Sequence, residues 1–263
     1  MTDIKLDTDV AKIYDEFFVP ALFAEWPDRI LDAVAVQEGE RVLDVACGTG
    51  VLARAAVARV GPAGRVAGLD LNDGMLAVAR QHTPDVAWRL GRAEDLPYPD
   101  ARFDAVASQF GLMFFQDQAE ALREMWRVLR PGGRLAVAVW GPLKETAGYA
   151  AVVDLLQRLF GQAAADGLRA PYSMGDRREL DRLIRGAGIP DARIETHVGA
   201  ARFPSIDAWM FTDIKGWVLA DMLDDDQFER LLAAASQELQ EFATPSGAVT
   251  FQTPAHLATA IKR

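Results

Sequence analysis

Between Arg41 and Trp140 the chain alternates short apolar runs with segments of helical periodicity, and few folds accept that pattern. The runs Arg41–Ala46, Arg65–Asp70, Val86–Gly91, Phe103–Phe110 and Arg134–Trp140 read as strands, with Val51–Val60, Asp73–His82 and Gln118–Leu129 as helices between them. Pro131-Gly132-Gly133 stops the last of these helices. Such alternation is the signature of a parallel sheet covered by helices on both faces. Val42, Leu43 and Val45 suit a strand buried on both sides, at the centre of that sheet.

On the amino-terminal side, Val10–Val36 reads as helix broken at Pro20 and Pro27. Its Tyr14, Phe17, Phe18, Phe23 and Trp26 are too aromatic for a surface segment, so it is expected to pack across the top of the sheet. After Trp140 the pattern changes to helices near Gly148–Phe160 and Arg178–Ala187, then a strand, Ala192–Val198. Helices around Ile206–Lys215 and Asp225–Phe242 precede a last strand, His256–Lys262. No internal repeat or low-complexity linker interrupts the chain, so residues 1–263 are expected to form one domain.

A chain of 263 residues, half of them apolar, buries a substantial core without a disulfide or metal. Its 38 acidic and 28 basic residues leave a net charge of −10, and with no basic tract a nucleic-acid partner is not expected. Cys47 is the single cysteine, which excludes an intramolecular disulfide and a thiolate metal cage; no metal is expected. The start, MTDIKLDTDVAKIYDEFF, lacks the pattern of a secretory signal, and no later stretch reads as a membrane span. A soluble, cytoplasmic protein is the expectation.

Gly48-Thr49-Gly50 follows the first strand and leads into a helix, a place where two glycines permit a sharp turn and a ligand lying against the main chain. Ordinary strand-to-helix turns also use glycine. Asp44 adds weight, because a carboxylate inside an apolar strand costs several kcal/mol, roughly 2–7 even for a neutral polar group, unless it is partnered. It can accept from nearby turn amides, from the ammonium of an amino-acid ligand, or from both. Asp70 ends the second strand, where an acidic side chain can accept both hydroxyls of a ribose. An NAD-binding protein shares these features, but Gly48-Thr49-Gly50-Val51-Leu52-Ala53 lacks the third glycine of a dinucleotide phosphate loop.

Four ordered segments carry a resemblance: VLDVACGTG at Val42–Gly50, GLDLNDGML at Gly68–Leu76, GRAEDLPYPDARFDAV at Gly91–Val106 and RVLRPGGRLAVAVW at Arg127–Trp140. Together they resemble the successive motifs of the class I S-adenosylmethionine (SAM)-dependent methyltransferases, and most of all the small-molecule branch with the ubiquinone and menaquinone biosynthesis C-methyltransferases. The resemblance covers roughly residues 10–142 and implies an α/β, three-layer Rossmann-like sandwich. Its sheet would be mostly parallel and seven-stranded, with an antiparallel last strand and N-terminal and late helical cap elements. Residues 10–142 would be the cofactor-binding core, and 143–250 would include the cap insertions.

Carried over position by position, the resemblance implies that Asp44, Ala46, Gly48 and Gly50 surround the methionine part of SAM. Asp70 would hold the ribose, Leu71 and Met75 would lie against the adenine, and Ala93 and Glu94 would edge it. Gln109 and Phe110 would face the sulfonium, and Tyr14 would close over the methionine carboxylate. Asp95, before Leu96-Pro97, reads equally as a solvated turn. Cys47 reads as a small residue in a tight turn, not a nucleophile.

A sulfonium methyl is already activated, so such an enzyme works chiefly by placing the acceptor in line and excluding water, worth up to roughly 7–11 kcal/mol. No general base stands out; His82, His197 and His256 read as structural. The apolar stretch Ser108–Phe115 follows the fourth strand, where parallel sheets place ligands. Phe18, Phe114 and Trp140 are the candidate acceptor pocket, and the aromatic N-terminal helix and Trp209-Met210-Phe211, with Trp217, a candidate lid. The expected function is methyl transfer from SAM to carbon or oxygen of a hydrophobic small molecule. An NAD-linked oxidoreductase and a non-catalytic SAM-binding sensor stand as alternatives; the oligomeric state is not readable from the sequence, a homodimer through the late helices being one arrangement open to it.

Overall fold

The computed structural model describes residues 8–215 and 222–263. Strands β1 (Arg41–Val45), β2 (Arg65–Asp70), β3 (Ala87–Leu90), β4 (Phe103–Gln109), β5 (Leu129–Trp140), β6 (Arg193–Phe203) and β7 (Val249–Ile261) form one sheet in the order β3-β2-β1-β4-β5-β7-β6. β1 runs parallel to both β2 and β4, and only β7 opposes its neighbours, β5 and β6. The expected architecture is therefore present. Between the strands run α3 (Val51–Val60), α4 (Asp73–His82) and α5 (Gln118–Val128). Asn72 and Asp117 begin α4 and α5 by accepting from the amides of Met75 and Glu120, satisfying donors a helix start leaves open. Val42 to Val45 and Phe103 to Ser108 are buried without a break, as strands covered on both faces require.

Three boundaries differ from the sequence reading. Pro131-Gly132-Gly133 does not separate helix from strand but sits inside β5, where the register jumps from Phe103 opposite Leu129 to Ala105 opposite Arg134. Gly132 has φ +76°, and its amide reaches Lys262 O at 2.6 Å, so the glycines form a bulge that keeps pairing. β6 extends to Phe203, and β7 begins at Val249. Proline is rare inside central strands, yet Pro254 is tolerated in β7 because β5 ends opposite Ala255, and beyond that point the ladder of β7 continues on β6, apart from a single bridge from Val249 to Ala243. The two strands thus overrun the sheet as a ribbon.

That ribbon is the floor of a second core. Ala201, Phe203, Val249 and Phe251 pack with Tyr149, Val152, Leu156, Trp209, Met210 and Leu231. These come from α6 (Ala147–Phe160), α9 (Ile206–Lys215) and α10 (Asp225–Glu238), joined by α7 (Gln162–Arg169), a helix the sequence reading missed, and with α8 (Arg177–Gly186) packing on α5 instead. Tyr149 and Trp209 meet edge to face, and Trp209 lies 4.8 Å from Phe251 by ring centroids. Gly148 must stay small, because a Cβ there would fall 2.5 Å from the Phe251 ring.

The amino-terminal segment comprises α1 (Thr8–Ile13), a π-helical stretch Tyr14–Phe23 enclosing Pro20, and α2 (Trp26–Ala33). Pro27 does not break α2; it sits in the first turn, where a missing N–H costs nothing. Glu25 accepts from the Ala200 amide at 2.6 Å, fastening this segment to β6.

Candidate functional site

The sheet order reverses between β1 and β4, and parallel sheets bind ligands at the carboxyl ends of such neighbours. Here both strands end in non-glycine residues of positive φ, Ala46 at +58° and Phe110 at +56°. Each such residue costs of order 1–3 kcal/mol, a strain that concentrates at functional sites. Gly111 lets the two loops meet, since a Cβ there would lie 2.6 Å from Ala46 Cβ. Gly48 and Gly50 are also left-handed, at +54° and +86°, and Trp88 packs so closely that a Cβ on Gly50 would meet its ring at 2.5 Å.

Asp44 is 1% exposed, and one carboxylate oxygen accepts from the Ala53 amide at 3.0 Å at the start of α3. Oδ1 has no partner among the described residues, nor have the buried oxygens Thr49 Oγ1, Ser108 Oγ and Gln109 Oε1. Burial pushes the Asp44 pKa up to about 8, opposed by the Ala53 hydrogen bond. Leaving such acceptors unpaired costs about 1–3 kcal/mol each, and an ammonium at this turn would supply the donors. Asp70 holds the same loop: its oxygens accept from the Gly48 amide at 2.7 Å and the Asn72 amide at 2.8 Å. Burial also raises its pKa. Tyr14 covers the glycine turn, with Cε1 3.9 Å from where a Gly48 Cβ would be, and burial first, then Asp70, raises its phenol pKa.

The remaining candidates are placed less uniformly. Leu71 is exposed beside Asp70, whereas Met75 is buried with Ala11 and Val78 against Tyr14. Ala93 is buried. Glu94 is engaged with the loop before α5, accepting from the Gln116 amide at 2.8 Å, and Asp95 is exposed. Gln109 donates to Phe23 O at 3.3 Å.

A cleft of about 530 Å³ adjoins Phe110. Phe18, Phe114 and Trp140 line it, together with Tyr14 and Phe110, so residues far apart in sequence form one wall. Phe110 stacks on Trp140 at 3.8 Å between centroids and 11° between planes. Leu22 and Phe23 of the aromatic amino-terminal segment also line it, Phe23 packing on Tyr14, Phe110 and Trp140, whereas Tyr149, Leu168, Pro171, Tyr172 and Asp213 escaped the sequence reading. Asp213 carried a signal: Ile206, Trp209, Met210, Asp213 and Ile214 share the buried face of α9, so an acid interrupts an apolar stripe as Asp44 interrupts an apolar strand. Asp213 is 0% exposed and accepts from the Tyr149 hydroxyl at 3.1 Å. Burial drives its pKa to about 8 against the opposing influence of Tyr149 and Trp209. The Trp209 N–H falls short of a hydrogen bond, and Asp213 Oδ2 has no partner among the described residues.

Trp209 and Met210 are fully buried in the second core and do not line the cleft; Trp217 lies outside the described residues. The histidines are elsewhere: His82 pairs with Asp15 at 2.6 Å, His197 adjoins Glu195, and His256 uses both ring nitrogens on Thr196 and the Gly175 carbonyl.

Residues 43–137 match the methyltransferase domain family. The demethylmenaquinone methyltransferase of Staphylococcus carnosus is 33% identical over 193 residues, covering 66% of this chain and 78% of that protein. The chain belongs to the class I SAM-dependent methyltransferases of the ubiquinone/menaquinone type. The ubiquinone/menaquinone biosynthesis C-methyltransferase UbiE of Laribacter hongkongensis is 42% identical to this methyltransferase over 146 residues, 51% of the chain and 60% of the relative. A demethylmenaquinone methyltransferase of Listeria welshimeri is 41% identical over 44% of the chain and 51% of that protein, so the methyltransferase spans only part of several relatives' length. Among solved structures, the Haemonchus contortus phosphoethanolamine N-methyltransferase 2 in complex with SAM aligns over 97% of the chain and 57% of its own. The TM-score is 0.62 at 17% identity, a likeness of fold. SAM is accordingly the cofactor of this family member, and the NAD-linked alternative has no support.

Proposed function

We propose that this methyltransferase moves the methyl group of SAM to a carbon or oxygen of a hydrophobic small molecule held in the aromatic cleft. The observation that carries the reading is the buried, half-partnered Asp44 beside the glycine turn, at the crevice where Phe110 directly follows β4 and forms a wall of the cleft. Asp44, Ala46, Gly48 and Gly50 would hold the methionine part and Asp70 the ribose. Leu71, Met75, Ala93 and Glu94 would border the adenine, with Gln109 and Phe110 facing the sulfonium and Tyr14 closing over the methionine carboxylate. When bound, SAM supplies a methyl group already activated by positive sulfur. The chain orients the acceptor, through stacked walls such as Phe110 and Trp140, and keeps water out. The relatives' names include ubiquinone and menaquinone biosynthesis, and a flat ring suits these walls.

Residues 10–142 would hold the cofactor and 143–250 would close the acceptor side as one domain with them. A cytoplasmic location fits the buried, reduced Cys47. Among the described residues no helix is long and apolar enough to cross a membrane. A net charge of −10 argues against nucleic acid, and sedimentation would decide the homodimer. Titration calorimetry with SAM, S-adenosylhomocysteine and NAD tests the cofactor: the first two bind and NAD does not. NAD binding without a response to SAM would overturn the reading. Retention of SAM with no turnover across phenols and quinols would instead make the protein a sensor.

A further inference from the structure

Methyl transfer from a sulfonium to a hydroxyl-bearing acceptor releases one proton, and a cleft with apolar walls must provide for it. Among the described lining residues there is one carboxyl group, Asp213, and no lysine, arginine or histidine. The tyrosines are poor alternatives, because burial raises the phenol pKa of Tyr14, Tyr149 and Tyr172. Asp213 is held by the Tyr149 hydroxyl and keeps one oxygen unpartnered.

We infer that Asp213, positioned by Tyr149, receives the hydroxyl proton of the methyl acceptor, which makes it a catalytic and specificity-determining residue of the cleft. The inference rests on the methyltransferase reading above. As the O–H bond breaks, its proton passes to the Asp213 carboxylate. The electron pair so released forms the new bond to the methyl carbon, at that oxygen or a ring carbon conjugated with it. The sulfur–methyl bond breaks with its pair left on sulfur, so the sulfonium charge is discharged and one proton rests on Asp213. The carboxylate is buried among apolar groups, which strengthens it as a base beyond an exposed aspartate. The titratable groups that face it are Tyr149 of α6, Tyr172 of the turn after α7, and Tyr14 across the cleft. Of the elements packed on α9, α10 engages Lys215 through Asp225, β6 offers Phe203 to Trp209, and the π-helical stretch after α1 offers Phe17 to Phe211 while its Asp15 pairs with Arg54 and His82.

Two probes of one shape, 2-naphthol and naphthalene, separate hydroxyl recognition from apolar burial. Asp213→Leu should weaken 2-naphthol binding at least tenfold and leave naphthalene binding within threefold, with SAM affinity unchanged. In turnover of SAM with 2-naphthol, Asp213→Asn should lower kcat a hundredfold or more and abolish the rise of the wild-type rate between pH 6 and 8. Asp213→Glu should restore part of both. Equal weakening of the two probes, or wild-type kcat and pH profile in Asp213→Asn, overturns the inference. So does a wild type that binds SAM but neither binds nor methylates 2-naphthol. Failure of the wild type to bind SAM would strike the underlying methyltransferase reading instead.

Discussion

Two aspartates, Asp44 and Asp213, share one physical predicament: each is buried, each has a single hydrogen-bond donor and an oxygen without one, and each has its pKa pushed to about 8. Both are therefore mostly neutral at pH 7 until a ligand favours the charged form. For Asp44 the sign of the effect is definite. An ammonium brought against it lowers its pKa, so SAM binding at pH 7 should release close to one proton, read as a dependence of the calorimetric heat on buffer ionisation enthalpy. Asp44→Asn should abolish that release and weaken SAM binding tenfold or more. The sequence made Asp44 legible because a charge among Val42, Leu43 and Val45 has no amphipathic excuse. Asp213 obeys the same rule on a helix, but a helix alternates faces every few residues, and the apolar stripe of α9 hides its acid unless the period is followed. Glu94 shows the opposite case, a motif residue already engaged with the amides that begin α5.

Among the elements, β1 to β4, the helices between them and β5 from Arg134 onward were readable because each run is short and bounded by glycine, proline or a capping residue, whereas the bulged start of β5 was not. Nor were the late strands. The overrun of β6 and β7 depends on pairing between residues 46 to 66 positions apart, Phe203 with Val249 at one end and Arg193 with Thr259 at the other, and Pro254 masks it locally. The aromatic cleft wall contributed by α6 and the turn after α7 was invisible for the same reason, since Tyr149 and Tyr172 meet only in the fold. This layout separates two functions that one substitution can distinguish. Gly148→Ala places a methyl 2.5 Å from Phe251, which should cost about 1–3 kcal/mol of stability by overpacking, measured by chemical denaturation. Because Tyr149 follows directly, methyl transfer should fall while SAM affinity stays within about twofold.

For the whole molecule, the buried carboxyl groups whose pKa is raised set the direction of its pH dependence above pH 6: Asp70, and with it the pair Asp44 and Asp213. The folded pKa values of that pair, about 8, lie above the ordinary aspartate value of 3.8, so folding favours the protonated form. That contribution is complete below the unfolded pKa and is lost as pH rises through the folded one. In the absence of ligand the melting temperature should therefore fall between pH 6 and pH 9, and Asp213→Asn should flatten the decline. A melting temperature that climbs over this range in wild type would contradict the burial of both groups.

The same two strands run without interruption from the sheet into the cap, bonded residue by residue as far as Phe203 and Val249. A door needs a hinge, and an unbroken ladder of main-chain hydrogen bonds is a poor one. The ribbon is better regarded as a beam cantilevered from the sheet, carrying the acceptor wall at a fixed distance from the carboxyl ends of β1 and β4. Passage in and out of the cleft then falls to the amino-terminal segment that supplies Tyr14, Phe18 and Phe23, which is held to the beam by side-chain contacts such as Glu25 to Ala200 and by no strand of its own.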